Sequence, residues 1–342
     1  MKLEHDRYTI HPAVPFTIAR GTTSAYDRVR VRLRSGSQEG WGEAAPNKYY
    51  HESADTVLAA LPLLASIVDR RELVTIEDID RLEREMAMAA PHAASARAAV
   101  SAAAYDLLGK RCGQPVWQLL GLDPMRAPPT SFTIAIGESE PEIMSRVAAA
   151  LRYPILKIKL GTDRDEWIVR TVRRAAPTKL LRADANAAWD VATAKKMSAF
   201  LAKQRFELLE QPLAADDIDG FRALMKTSPL PIVADESCRT SADIAPLAGA
   251  VHGINIKLSK CGGLSEARRM ITEARALGMR VMLGCMIEST LGIAAAAHLA
   301  PLVDWADLDG AALLKDDPFT GISVEDGFIR LPAAPGLGVS AR

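Results

Sequence analysis

From residue 130 onward, short apolar runs alternate with amphipathic segments of helical period, and several of the runs stop at a charged or amide side chain. Ile-Leu-Lys-Ile-Lys-Leu-Gly presents Lys157 and Lys159, and Lys-Leu-Leu-Arg-Ala-Asp-Ala-Asn ends in Asp184 and Asn186. Phe-Glu-Leu-Leu-Glu-Gln-Pro carries Glu210, Pro-Ile-Val-Ala-Asp-Glu-Ser carries Asp235, and Gly-Ile-Asn-Ile-Lys-Leu-Ser-Lys carries Lys257. From Lys159 through Asp184, Glu210 and Asp235 to Lys257, the spacings are 25, 26, 25 and 22 residues. Each interval holds one strand, a loop, one helix and a second loop, the βα unit of a parallel sheet. Runs rich in Ile, Leu and Val suit strands buried on both faces. A charge in such a strand is costly unless it sits at the end and faces a polar site.

In a (β/α)₈ barrel the C-terminal strand ends converge on one site, so five consecutive units deliver Lys, Asp, Glu, Asp and Lys to one place. The two-residue period of a strand puts Lys157 and Lys159 on one side, and Asp184 and Asn186 likewise. Residues 131–136 are the expected first barrel strand, 280–285 the seventh and 304–309 the eighth. Helices are expected at 140–151, 163–175, 191–203, 219–225, 242–247 and 264–277.

The N-terminal part reads differently. Residues 26–33 alternate basic and β-branched positions, as a half-exposed strand does, and a turn at 35–37 leads to a second strand at 41–43. A loop carrying Tyr49, Tyr50 and His51 follows, then helices at 54–68, 76–89 and 93–109, with Ser53 as N-cap of the first. Prolines cluster at 123–129 and mark a domain change. The expected fold class is therefore α/β, a (β/α)₈-type TIM barrel over 126–317 with an N-terminal α+β domain over 1–125. The Gly/Pro-rich tail, 318–342, is expected to return to that N-terminal domain.

Composition changes this picture little. The 342 residues are 49% hydrophobic and 25% charged, ordinary for a globular protein. Lys+Arg 42 against Asp+Glu 42 gives no electrostatic argument for nucleic acid or an anionic membrane as partner. No secretory leader opens the sequence and no apolar run reaches about 18 residues, so the expected compartment is the cytoplasm. Cys112, Cys238, Cys261 and Cys285 have no metal-ligand spacing and imply no disulfide framework. A homo-oligomer is left open.

The chemistry follows from the acids. Asp184, Glu210 and Asp235 on neighbouring strand ends repel one another unless a cation neutralises them, and a hard divalent ion with oxygen ligands, Mg²⁺, suits them. Zn²⁺ fits poorly because no His or Cys joins the cluster. Lys159 and Lys257, on the second and sixth strands, lie across the mouth from one another, with Lys157 in a supporting role. A lysine acts as a base once deprotonated, and burial near a cation and a second ammonium lowers its pKa. One lysine removes an α-proton, Mg²⁺ stabilises the enediolate, and the other lysine returns a proton to the opposite face. Salt bridging to the same acids is the plain structural alternative for these lysines.

Lys157-x-Lys159, Asp184-x-Asn186, Glu210-Gln-Pro, Asp235-Glu-Ser and Asn255-Ile-Lys257, in that order, resemble the muconate-lactonizing subgroup of the enolase superfamily, whose sites use a Lys or His base with Mg²⁺. Pro15-Phe-Thr-Ile-Ala-Arg20-Gly21, Leu283-Gly-Cys-Met-Ile-Glu-Ser289 and Asp307-Leu-Asp309-Gly are similar to the dipeptide epimerases within it, L-Ala-D/L-Glu epimerase among them. The resemblance implies Mg-dependent epimerisation of a dipeptide, with cell wall peptide metabolism as its setting. It implies that the N-terminal domain caps the barrel and that Asp307 and Asp309 bind the dipeptide's ammonium. Arg20, in a capping loop, is implied to grip the side-chain carboxylate of the epimerised residue, as a guanidinium can do bidentately. Tyr50, in a second capping loop, either lines the pocket or only packs there, and Glu288 either assists substrate binding or belongs to a structural network. The alternatives are a cycloisomerase or o-succinylbenzoate-synthase-like enzyme, whose substrates have no ammonium for Asp307 and Asp309, or a non-catalytic barrel binding protein.

Overall fold

The computed structural model describes residues 1–342. Its N-terminal part is a three-stranded antiparallel sheet, Lys2–Ile10, Tyr26–Ser35 and Gln38–Ala44, followed by three helices, Ala54–Val68, Ile76–Ala89 and Ala94–Cys112. Ser53 and Thr75 each close a capping box at the start of the first two helices, so sequence-local hydrogen bonds fix where those helices begin. The third helix is alanine-rich because it lies against the sheet with almost no gap. A Cβ on Gly40 or Gly42 would come within 2.0 Å of the carbonyl oxygens of Ala103 and Ala99 respectively. A small hairpin, Phe16–Ile18 with Gly21–Thr23, holds Arg20 in its turn.

The second part is an eight-stranded parallel barrel. Its strands, in order, are Phe132–Ile134, Ile155–Lys159, Leu180–Asp184, Phe206–Glu210, Ile232–Ala234, Gly253–Ile256, Arg280–Gly284 and Trp305–Asp307. The first and last meet through the bridge between Thr130 and Ala306, and Ser131 N donates to Ala306 O at 3.1 Å. Leu208, Val233, Met282 and Trp305 form a buried cluster apart from the main core. Each lies two residues before a mouth position (Glu210, Asp235, Gly284, Asp307), so strand alternation aims all four into the barrel axis beneath the site.

The βα alternation expected from the sequence is present, with four local differences. The first and eighth strands are shorter than expected because the chain bends into loops at the mouth. The helix after the fifth strand is only Ile244–Leu247, preceded by the 3₁₀ turn Ser241–Asp243. A one-turn helix, Leu258–Cys261, stands between the sixth strand and Leu264–Ala276. An additional helix, Thr290–Ala297, follows the seventh strand.

The tail packs on the N-terminal part. Phe319 lies 5.9 Å from the Tyr8 ring and 6.1 Å from the Trp41 ring, and Leu337 N donates to Asp106 Oδ1 at 2.7 Å. No helix is long and apolar enough to cross a membrane.

Candidate active site

Register builds the centre of the site. Lys159 pairs with Asp184, and Asp184 with Glu210, so the ends of strands two, three and four lie level with one another. Asp235 follows the fifth strand directly. One carboxylate oxygen each from Asp184, Glu210 and Asp235 lies within 4.8 Å of the others, and all three residues are buried.

The lysines surround this cluster. Lys159 Nζ donates to Asp184 Oδ2 at 2.6 Å, and Lys257 Nζ donates to Asp235 Oδ2 at 2.7 Å. Lys157, one layer deeper, lies 2.6 Å from Asp307 Oδ2, 2.7 Å from Glu210 Oε2 and 3.1 Å from Asp184 Oδ2. Its contact with Glu210 is close but poorly aligned, which leaves Glu210 Oε2 without a formal hydrogen bond.

The charges of this cluster perturb one another strongly. Burial alone would lower the Lys157 pKa, but Asp307, Glu210 and Asp184 outweigh it and hold the pKa well above the usual lysine value. Burial likewise opposes the charge on Lys257, and Asp235 reverses that, raising its pKa. The lowered pKa expected of a catalytic lysine refers to the site with its cation bound. Burial would raise Asp184 and Asp235, yet Lys159 and Lys157 hold the first down, and Lys257 and Lys260 hold the second down. Glu210 is pushed up to about 7, first by burial and then by Asp184.

This donor set fits Mg²⁺. It is oxygen-only and buried, and it includes a carboxylate oxygen without an aligned partner beside like charges.

The other expected residues fall around this centre. Asn186 is near it for a different reason than strand alternation, because the strand ends at Asp184 and Asn186 has a left-handed backbone with φ 47°. Its backbone N–H donates to Asp184 Oδ1 at 2.9 Å, and its buried side-chain oxygen has no partner. Arg20 reaches down from its turn to donate to Asn186 O at 2.6 Å, and its Nη2 lies 2.8 Å from Glu236 Oε1. Its guanidinium sits 4.5 Å over the Tyr49 ring.

Tyr50 stacks edge-on against Tyr49 at 5.1 Å. Burial and the nearby Asp235 and Glu236 raise its pKa.

Asp307 accepts from Ser131 Oγ at 2.6 Å and is held low by Lys157 against its burial. Asp309 accepts from Thr133 N at 2.6 Å and is pushed up to about 7 by burial and then by Asp307.

Glu288 is buried and accepts from Met286 N at 2.8 Å. It lies beside Glu43 of the N-terminal sheet, which accepts hydrogen bonds from Tyr8 and Ser289. This places it in a network joining the two parts of the chain.

Three further residues belong to the site and were not singled out from sequence. Glu236 holds Arg20. Gln211 braces strands four and five, accepting from Asp235 N at 2.8 Å and donating to Ser237 Oγ at 2.8 Å. Lys260 donates to Asp235 Oδ1 at 2.7 Å and to the carbonyls of Asp235, Cys238 and Asn255. A lysine three residues past Lys257, on the same helical turn, was the available signal for the last.

Residues 3–121 match the mandelate racemase / muconate lactonizing enzyme N-terminal domain, and residues 141–342 match the enolase C-terminal domain-like family. The chain is similar to the L-Ala-D/L-amino acid epimerase of Maribacter sp., 36% identical over 341 residues and covering 99% of each chain. It is 36% identical over 340 residues to the L-Ala-D/L-Glu epimerase of Bacteroides thetaiotaomicron, covering 99% of this chain and 88% of that one. The dipeptide epimerase of Enterococcus faecalis, complexed with Mg and the dipeptide L-Leu-L-Tyr, has the same fold with a TM-score of 0.92, at 33% identity over 99% of both chains.

Proposed function

This chain belongs to the mandelate racemase / muconate lactonizing enzyme family, with its enolase-like C-terminal domain, and on that premise we propose that it is a Mg²⁺-dependent dipeptide epimerase. The observation that carries the reading is the placement of two lysines, Lys159 on the second strand and Lys257 just past the sixth, each bonded to a different acid of one buried triad. One base on each face of an α-carbon inverts it by removing the proton from one side and returning it on the other.

In this reading Asp184, Glu210 and Asp235 would hold Mg²⁺. When bound, it supplies positive charge where negative charge develops on the substrate carboxylate as the α-proton leaves. Lys159 and Lys257 remove and return that proton at opposite faces, while Lys157 supplies a fixed buried charge behind the acids. Asp307 and Asp309, two residues apart at the eighth strand, bind the dipeptide's free ammonium. Arg20, Tyr49 and Tyr50 close over the side chain of the epimerised residue. The enzyme is cytoplasmic and takes a small free dipeptide, with neither nucleic acid nor membrane as partner; L-Ala-D/L-Glu is the leading candidate.

The test is a dipeptide library in D₂O with Mg²⁺, read by mass gain and by stereochemistry at the C-terminal residue. Incorporation of one deuterium with epimerisation is expected. An N-acetylated copy of the best substrate should be poor, because Asp307 and Asp309 then face no cation. No exchange with any dipeptide, or equal kcat/KM for free and acetylated forms, overturns the reading and favours N-acylamino acids or another substrate class.

A further inference from the structure

The barrel helix Leu264–Ala276 begins at Gly263, which has no side chain to cap it. Its first N–H groups are satisfied instead by the N-terminal domain. Glu83, in the helix Ile76–Ala89, accepts from Ser265 N at 3.0 Å and from Glu266 N at 3.1 Å. Ser101 Oγ accepts from Leu264 N at 3.0 Å and donates to Glu83. The fit is close: a Cβ on Gly263 would lie 2.5 Å from the Glu83 carboxyl carbon, and one on Gly262 would lie 2.6 Å from the Arg97 guanidinium carbon. Glu83 is 3% exposed and has no lysine or arginine hydrogen-bonded to it. Burial raises its carboxyl pKa, and the Ser101 hydroxyl and then the helix N–H groups of Ser265 and Glu266 oppose that rise.

The same short stretch carries Lys257. From Lys257 the chain makes one helical turn, Leu258–Cys261, and reaches Gly262, whose N–H donates to Leu258 O at 2.8 Å. Lys257 and Lys260, before and within this turn, both hold Asp235; beyond it the chain passes against Arg97 and Glu83 at the two glycines and is bonded to Glu83 at Ser265 N and Glu266 N.

We propose that Glu83 is a positioning residue for the reaction: by capping the barrel helix from the other domain, it fixes the backbone from which Lys257 projects. The inference rests on the reading of Lys257 as one of two bases. It also gives the N-terminal domain a second task besides covering the substrate.

Two measurements on Glu83→Ala and Glu83→Gln test it. The first is α-proton exchange in D₂O from each epimer separately, with Lys159→Met and Lys257→Met as references. In Glu83→Ala, exchange from the epimer that Lys257→Met silences should slow on the order of tenfold to a hundredfold. The drop should appear in kcat with KM little changed, and the Lys159-dependent epimer should keep its rate. Glu83→Gln, which keeps one carbonyl acceptor, should fall between and serves alone if the alanine variant does not fold. The second is amide hydrogen exchange at residues 257–266, where both variants should lose protection while the opposite side of the barrel keeps it. Equal slowing of both epimers, no slowing of the Lys257 face, or unchanged protection of the first amides of the helix would each overturn the proposal. Failure of the wild-type enzyme to exchange either epimer of any dipeptide overturns the functional reading instead, and the amide protection then decides whether Glu83 caps the helix.

Discussion

Lys157 Nζ lies 2.7 Å from Glu210 Oε2, so an internal ammonium already sits against the acid that burial and Asp184 push up to about 7. When Glu210 is replaced Lys157 still keeps Asp184 and Asp307, so the ligand substitutions differ in how much else they disturb. Asp235→Asn removes the paired negative charge of both Lys257 and Lys260, leaving Lys260 only neutral carbonyl acceptors. Breaking a buried pair in this way costs about 3–5 kcal/mol. Glu210→Gln removes one acid from a site that holds three acids and keeps an acceptor for Asn255 Nδ2. The expected outcome is that Glu210→Gln folds with a melting temperature close to wild type yet binds Mg²⁺ at least about a hundredfold more weakly by calorimetry. Asp235→Asn should lose both stability and metal. Chelation should abolish turnover, and full activity in the metal-stripped enzyme refutes the assignment.

The lysine pair makes a stereochemical prediction. Lys159→Met and Lys257→Met should each abolish epimerisation, and each should retain α-proton exchange from a single epimer, opposite in the two variants. Proton transfer by a positioned base contributes about 10²–10⁴-fold, so residual interconversion should fall by at least that much. If either variant interconverts both epimers at the wild-type rate, the two-base scheme is wrong.

Glu288 predicts a pH dependence of stability. Burial and then Glu43 push its carboxyl up to about 7, with the Met286 N–H, Arg28 and Lys257 opposing. An unfolded glutamate ionises near its ordinary value of 4.5, so between about 4.5 and 7 the folded state binds the extra proton. Stability from this group is therefore full below about 4.5, falls as pH rises to about 7, and stays lost above. The total is at most about 3.5 kcal/mol at roughly 1.4 kcal/mol per pKa unit. Glu210 and Asp309 slope the same way, so the informative quantity is the difference between wild type and Glu288→Gln in urea denaturation. Glu288→Gln should match wild type near pH 4.5 and exceed it near pH 8. A difference independent of pH would show that Glu288 does not titrate in this range.

The barrel and its acids were legible because five charged strand ends recur in phase with the βα unit, and a solvated surface has no reason to keep that phase. What was not legible has physical causes. The helix Thr290–Ala297 is buried on every side, so it shows no amphipathic stripe to read. Asn186 was read by strand alternation, but the strand stops two residues earlier, at Asp184, and a left-handed turn brings it to the site. Alternation also puts Glu236 on the opposite side from Asp235. The fifth strand ends at Ala234, before either residue, and the chain turns there.

Glu236 changes what Arg20 can do, and this is the last prediction. A guanidinium free in the pocket would favour an acidic side chain by about 1.5–3 kcal/mol, the worth of a hydrogen bond to a charged group. At about 1.4 kcal/mol per tenfold, that is roughly ten- to a hundredfold for L-Ala-L-Glu over L-Ala-L-Gln. Arg20 is not free: its Nη2 is held by Glu236 Oε1 at 2.8 Å, and its Nη1 by Asn186 O at 2.6 Å. A substrate carboxylate must share the guanidinium with a buried acid whose other oxygen has no partner. The wild-type preference should therefore sit at about tenfold or below. Glu236→Gln should widen it toward about a hundredfold, because the competing charge is gone. Arg20→Met should erase it while activity on neutral dipeptides survives. Glu236 adjoins Asp235, so the readout is the ratio of kcat/KM for acidic and neutral dipeptides within each variant, in which any change in metal binding cancels. An unchanged ratio in Glu236→Gln would retire the competition between the two groups, and a wild-type preference for basic or aromatic dipeptides would assign selectivity to another residue of the pocket.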